Sequence, residues 1–255
     1  MYQEEKDLRL AFHHLEKEYR PFIDFLIEHQ DSYPEFRGAV TLDGHLVYKP
    51  QLLILSYNPS NGKYLEYLKN GAHLANYGER PPGVFEWNNA RRDGNWWEVN
   101  KKINNDFPAN VIEFLYAYLG KDRGAQIRDI AKEVMFLNLY PIATEDIDGF
   151  KRMLRALLKD SDFCKTSAFH AEWNKEWDLR RYLLCLIHDF IQEYVQPQKI
   201  ICLGQSTIED YVWGKENIDI IEDGIFHSKN YPNVYGISRS GTWSERARRV
   251  VKFIK

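Results

Sequence analysis

Two asparagines stand where an apolar run gives way to turn residues, and their side chains are the first candidates for chemistry in this chain. Leu52 to Leu55 lead directly into Ser56-Tyr57-Asn58-Pro59-Ser60-Asn61-Gly62, and Val134 to Leu139 lead into Tyr140-Pro141, carrying Asn138 near the end of the run. A carboxamide offers a donor and an acceptor but takes no proton, so it can orient a water or hold a polar ligand without acting as a base. In an open α/β sheet ligands bind at the carboxyl ends of strands, where both amides would lie. The plainer reading of the first loop is a strand-to-helix turn, with Asn58 and Pro59 present for backbone geometry. Two further runs end in the same way. Lys199 to Leu203 runs into Gly204-Gln205-Ser206-Thr207, and Asn233 to Ile237 into Ser238-Arg239-Ser240-Gly241. A glycine between strand and helix can cradle a phosphate, although close helix packing is the commoner reason for it.

These four runs alternate with helical patterns, which predicts an α/β fold: a mainly parallel central sheet of about four strands with helices on both faces. Amphipathic spacing predicts helices over Ile112 to Leu119, Ile127 to Glu133, Asp148 to Lys159 and Lys175 to Tyr194, with 160–174 irregular. Thr242 followed by Glu245 forms a T-x-x-E capping box, so the last helix should begin at Trp243 and run to Ile254. That places Trp243 beside Arg239, Arg246 and Arg249, either packed on the neighbouring loop or free to wedge into a base stack. Residues 1–36 read as an amino-terminal helical extension, two helices or one broken at Pro21, with His13 and His14 solvated. Alternation about Asp43-Gly44 predicts a β-hairpin over Ala39 to Tyr48. No linker or repeat divides the chain, so 1–255 is expected to form a single domain.

Composition narrows the class. Aromatic residues make up 15% of the chain, which supplies core volume and allows stacking on bases. The net charge of −3 disfavours bulk polyanion binding, but the ends differ. Residues 1–36 hold four basic and nine acidic side chains, whereas 239–255 hold six basic side chains against Glu245 alone. Such a small basic patch suffices for a few phosphate contacts. Asn70 to Asn95 is long and irregular yet carries Tyr77, Phe85 and Trp87, and Arg91, Arg92, Lys101 and Lys102 bracket Trp96-Trp97. Cys164, Cys185 and Cys202 are far apart, so no disulfide framework or metal cluster is expected, and the compartment is expected to be the cytoplasm. Neither a signal peptide nor a membrane-spanning stretch is read from the sequence.

In order along the chain, the four strand ends resemble motifs of the uracil-DNA glycosylase superfamily. Ser56-Tyr57-Asn58-Pro59-Ser60 resembles the G-[IM]-N-P-G motif of the single-strand-selective monofunctional and mismatch-specific branches. Asn95-Trp96-Trp97 is similar to the N-R-F-W or A-R-F-W element, and Phe136 to Ile142 to the F-x-x-N-x-C-P-L stretch. Leu203-Gly204-Gln205 looks like L-G-x-x-A, and Ser238-Arg239-Ser240-Gly241 lies where the family carries H-P-S-P or N-P-S-G. The similarity spans roughly residues 50–252.

The resemblance implies monofunctional hydrolysis of the N-glycosidic bond of uracil or a related damaged base in DNA, with neither metal nor cofactor. Such a reaction passes through oxocarbenium-like character at C1′ and needs a placed water, a partner for the leaving base and a pocket for a flipped nucleotide. Asn58 would position the water, where the most active branches use Asp. Asn138 would read the Watson–Crick edge, with Tyr57 and Ser240 lining the pocket and Tyr77 or Phe85 stacking on the base. Ser238 stands where the family has His or Asn, so the leaving base would be stabilised by Ser238, by backbone N–H groups or by Arg239. Arg239, Gly241, Trp243, Arg246 and Arg249 would meet DNA. No lysine matches a Schiff-base role. The rival reading keeps the fold and the pocket but makes the protein a catalytically weak or inactive module that binds a modified base or a nucleic-acid end. A more distant rival is a nucleotide enzyme that uses Gly204 to Thr207 as its phosphate loop.

Overall fold

A computed structural model describes residues 3–43, 45–58, 75–76, 106–120, 133–165, 173–239 and 243–255. The four apolar runs form strands β2 (Leu52–Ser56), β4 (Val134–Asn138), β5 (Ile200–Leu203) and β8 (Val234–Ile237), all mutually parallel in the order β4-β2-β5-β8. Every residue in these strands is buried, because helices cover both faces of the sheet, and this explains why the runs are continuously apolar rather than alternating. β1 (Leu42–Asp43), β3 (Ala75–Asn76), β6 (Ile218–Glu222) and β7 (Ile225–Ser228) extend this core to eight strands among the described residues, ordered β3-β1-β4-β2-β5-β8-β7-β6. The chain is therefore an α/β protein with a mixed sheet, parallel at its centre and antiparallel where β7 and β6 follow β8.

One face of the sheet presents Leu53, Leu55, Tyr57, Met135, Leu137 and Cys202 to helices α1 (Gln3–Glu28), α3 (Ile147–Leu157), α4 (Ser161–Lys165), α5 (Glu176–Asp189) and α6 (Gln205–Tyr211). The other presents Leu52, Ile54, Val134, Phe136, Ile201 and Ile237 to α2 (Asp106–Leu119) and α7 (Trp243–Ile254). The last helix spans the residues its capping box predicts.

Three expectations are corrected. Pro21 does not break the amino-terminal helix, which runs unbroken through it, and the helix is no mere extension, since one of its faces forms part of the main core. An internal proline costs a helix roughly 3 kcal/mol, whereas burying Phe22, Ile23 and Leu26 just beyond it contributes roughly 1.5–3 kcal/mol each, so packing wins. Among the described residues the hairpin expected at Asp43-Gly44 does not form. Leu42 pairs antiparallel with Leu137 and parallel with Ala75, Ala39 bridges to Ile142, and residues 45–50 form no strand. A short strand laid between two partners distant in sequence has the same two-residue period as a hairpin arm, which is why the alternation misled. The irregular stretch 160–174 begins with the short helix α4, whose first turn is capped by Asp160 Oδ1, the acceptor for the N–H groups of Asp162 and Phe163. The helix expected over Ile127 to Glu133 falls almost wholly outside the described residues.

Candidate functional site

Because the central strands are parallel and in register, their carboxyl ends are level: Ser56 lies opposite both Asn138 and Leu203, and Leu203 lies opposite Ile237. The β2–β4 ladder then continues into the loops. Leu139 donates its N–H to the Ser56 carbonyl at 2.8 Å, and Tyr140 to the Tyr57 carbonyl at 2.9 Å. Asn58 is the next residue, at the point where the paired backbones separate.

The amide of Asn58 has a defined direction. Its Nδ2 donates to the Ile142 carbonyl at 3.1 Å and to Thr144 Oγ1 at 2.8 Å. A carbonyl only accepts, so the nitrogen must face it and the amide cannot be flipped. Thr144 passes its own proton to the Asp146 carbonyl at 2.7 Å. Asp146 is the N-cap of α3, its Oδ1 accepting the Gly149 N–H at 2.6 Å. One amide proton is thus committed to the Ile142 carbonyl and the other to a chain that ends on a helix start. Among the described residues Oδ1 accepts no hydrogen bond, so the end of Asn58 left for a ligand is an acceptor.

Asn138 is placed differently. It is 4% exposed, its Nδ2 donates to the Val40 carbonyl at 3.2 Å, and its Oδ1 accepts from Ser56 Oγ. Its backbone N–H also donates to the Thr41 carbonyl at 2.8 Å. Asn138 therefore ties the segment before β1 to the end of β4, and the two asparagines share no hydrogen bond. Thr41 Oγ1, also buried, has no hydrogen-bond partner among the described residues.

Tyr57 points to the opposite face from the Ser56–Asn138 pair, as the two-residue strand period requires, and is 4% exposed. Its ring packs on Tyr140 at 5.0 Å and on Phe150 at 6.0 Å. Its hydroxyl accepts from Arg180 Nη1 at 2.9 Å, and the same nitrogen donates to Asp210 Oδ2 at 3.0 Å. Tyr140 donates to that carboxylate oxygen at 2.7 Å. Arg180 Nε lies 3.1 Å from Glu176 Oε1, an ion pair too poorly aligned to be a hydrogen bond, and the guanidinium sits over the Trp177 ring at 4.5 Å. Burial, and then the Asp210 carboxylate, push both tyrosine hydroxyls well above their ordinary range, so both stay protonated. Burial works against the charge on Arg180, but the Asp210 carboxylate and the hydrogen bond accepted by the Tyr57 hydroxyl more than offset it and raise the pKa of the guanidinium. This is a closed cluster in which one guanidinium faces two carboxylates, and it leaves Tyr57 no free face for a base.

At the end of β8, Ser238 donates its N–H to the Gly224 carbonyl at 2.8 Å. Arg239 is exposed, and its Cδ lies 3.9 Å from where a Cβ on Gly204 would stand, so the ends of β5 and β8 touch. Gly204 itself has φ +105, a left-handed backbone that accounts for the glycine without any phosphate. Arg246 pairs with Asp223 at 2.7 Å and Arg249 with Glu222 at 3.3 Å. The acids of the β6–β7 hairpin thus partly offset two of the cations expected to meet DNA. Trp243 opens α7 as expected, but its side chain lies outside the described residues, as do Tyr77, Phe85, Ser240, Gly241 and the Trp96-Trp97 pair.

Sequence reasoning missed Thr144, Arg180 and Asp210. The side chain of Arg180 is held across 123 positions from Tyr57, a separation that carries no local signal. Among the described residues no group of three or more His, Cys, Asp or Glu side chains is arranged to hold a metal, and no helix is long and apolar enough to cross a membrane. Comparison of the sequence with protein-family models and with curated proteins found no match.

Proposed function

We propose that this protein is a monofunctional glycosylase of the uracil-DNA glycosylase type, releasing uracil or a related damaged base from DNA by hydrolysis. The observation that carries this reading is the direction of the Asn58 amide at the mouth of the parallel sheet. A water attacking C1′ must be held by an acceptor for one of its protons, and Asn58 Oδ1 is an acceptor fixed in direction before the substrate arrives. Because an amide cannot accept the proton outright, the rate is expected to be modest. Arg239, at the end of β8, is the cation this reading assigns to the departing base or to a neighbouring phosphate, although partial burial lowers its pKa.

The test is base release from single- and double-stranded oligonucleotides carrying uracil, hypoxanthine or oxidised pyrimidines, read as alkali-labile strand breaks. Uracil release that falls by roughly a hundredfold in Asn58→Ala supports the reading. Unchanged release in that variant removes the water-positioning role.

A second reading is favoured by the internal bonding of Asn138 and by the acid partners of Arg246 and Arg249. On this reading the protein binds a modified base or a nucleic-acid end without cleaving it. Salt-sensitive binding with no base release from any of these substrates would select it.

A further inference from the structure

The buried cluster on the far side of the β2 loop has no place in the reaction as described, yet it touches the residue next to Asn58. We propose that Arg180 is a positioning residue: by holding the Tyr57 hydroxyl it fixes the backbone that carries Asn58 and so aims the Asn58 amide. The inference rests on the glycosylase reading only for its consequence in catalysis, since the aim of the amide can be measured without any reaction.

The geometry has two anchors. On one side Asn58 is held through Thr144 to the start of α3. On the other, Tyr57 is pinned at its hydroxyl by Arg180, at its ring by Tyr140 and Phe150, and at its carbonyl by the Tyr140 N–H. Phe150 belongs to α3, so both anchors meet on one helix. Arg180 is in turn immobilised by Asp210 from α6, by Glu176 one turn earlier on α5 and by Trp177. Only a planar guanidinium can bridge a hydroxyl and two carboxylates while lying on an indole, so lysine is not an equivalent here. Position 58 is therefore set by contacts among α3, α5 and α6, although no side chain of α5 or α6 bonds to Asn58.

The test uses Tyr57→Phe, which keeps the ring and removes only the hydroxyl. In the full-length ¹⁵N-labelled protein, the side-chain amide protons of Asn58, assigned by their loss in Asn58→Ala, should exchange with solvent slowly. In Tyr57→Phe they should exchange about tenfold faster, the scale of losing one hydrogen bond to a charged group, while those of Asn138 stay unchanged. In base release the same variant should lower kcat about tenfold and leave KM alone, because the amide is misaimed rather than the site lost. Arg180→Lys should reproduce both effects. Unchanged exchange at Asn58, or equal acceleration at Asn58 and Asn138 from general loosening, overturns the positioning role. If the wild-type protein releases no base, the glycosylase reading falls, and the exchange measurement still decides the inference.

Discussion

The two faces of the β2–β4 loop pair carry polar clusters of opposite character. On one face Arg180, Asp210, Tyr57 and Tyr140 bond to one another in a nearly dry cluster. On the other, Asn58 gives both amide protons to fixed acceptors, and among the described residues its oxygen accepts no hydrogen bond. Adjacent residues of one strand end thus serve different purposes, because the two-residue period sends Tyr57 into the core and leaves Asn58 at the point where the loops part. Buried charge alone does not mark the working side of a site, since a cluster whose groups are packed on and bonded to one another has little room for a ligand.

Three substitutions or titrations sharpen this contrast. The largest effect is expected on the closed face: Arg180→Met leaves Asp210 buried without its cation and should cost about 3–5 kcal/mol in urea unfolding. A loss below about 1 kcal/mol would mean that water already enters the cluster. Next comes the open face. Asn58→Asp introduces a carboxylate that would meet the Ile142 carbonyl, to which it cannot donate. We expect a loss of about 1–3 kcal/mol and no gain in base release, and a more active, equally stable variant would break the assignment of amide direction.

The smallest effect is a pH dependence further along the closed face. His188 packs among Tyr211, Trp213 and Tyr231, its Nε2 is buried without a partner, and burial lowers its pKa against the opposing pull of Asp189. With the folded value below the unfolded one, the neutral ring's contribution is fully present above roughly pH 6.5 and is lost as pH falls through the folded value. The unfolding midpoint of the wild type should therefore drop more than that of His188→Gln on acidification from neutrality, and equal slopes would remove His188 from the titration.

Much of this architecture was legible in the sequence, because continuous apolar runs bounded by turn residues have few alternatives. The four central strands and the first residue of α7 were read directly. The hairpin was the instructive failure, since the sequence has four Asp-Gly dipeptides and Asp43-Gly44 is not the one that closes a hairpin. The actual turn is Asp223-Gly224, with Gly224 at φ +71, and its arms read poorly because the register shifts between Ile220 and Glu222 and breaks the alternation. The side chosen by Tyr57 could have been inferred, since it shares a period with Leu53 and Leu55. The partnership of Arg180 with Asp210 could not, because it depends on how α5 and α6 pack, and no local pattern encodes that.

The three cysteines supply a graded set of native labels. Cys164 is exposed, Cys185 is intermediate, and Cys202 is buried at the centre of β5 between β2 and β8, where burial pushes its thiol up and leaves it a poor nucleophile. A maleimide pulse on the folded chain would thus mark Cys164 first, and would mark Cys202 only when the middle of the sheet parts. The rate of that last modification is a clock for global opening that needs no engineered probe.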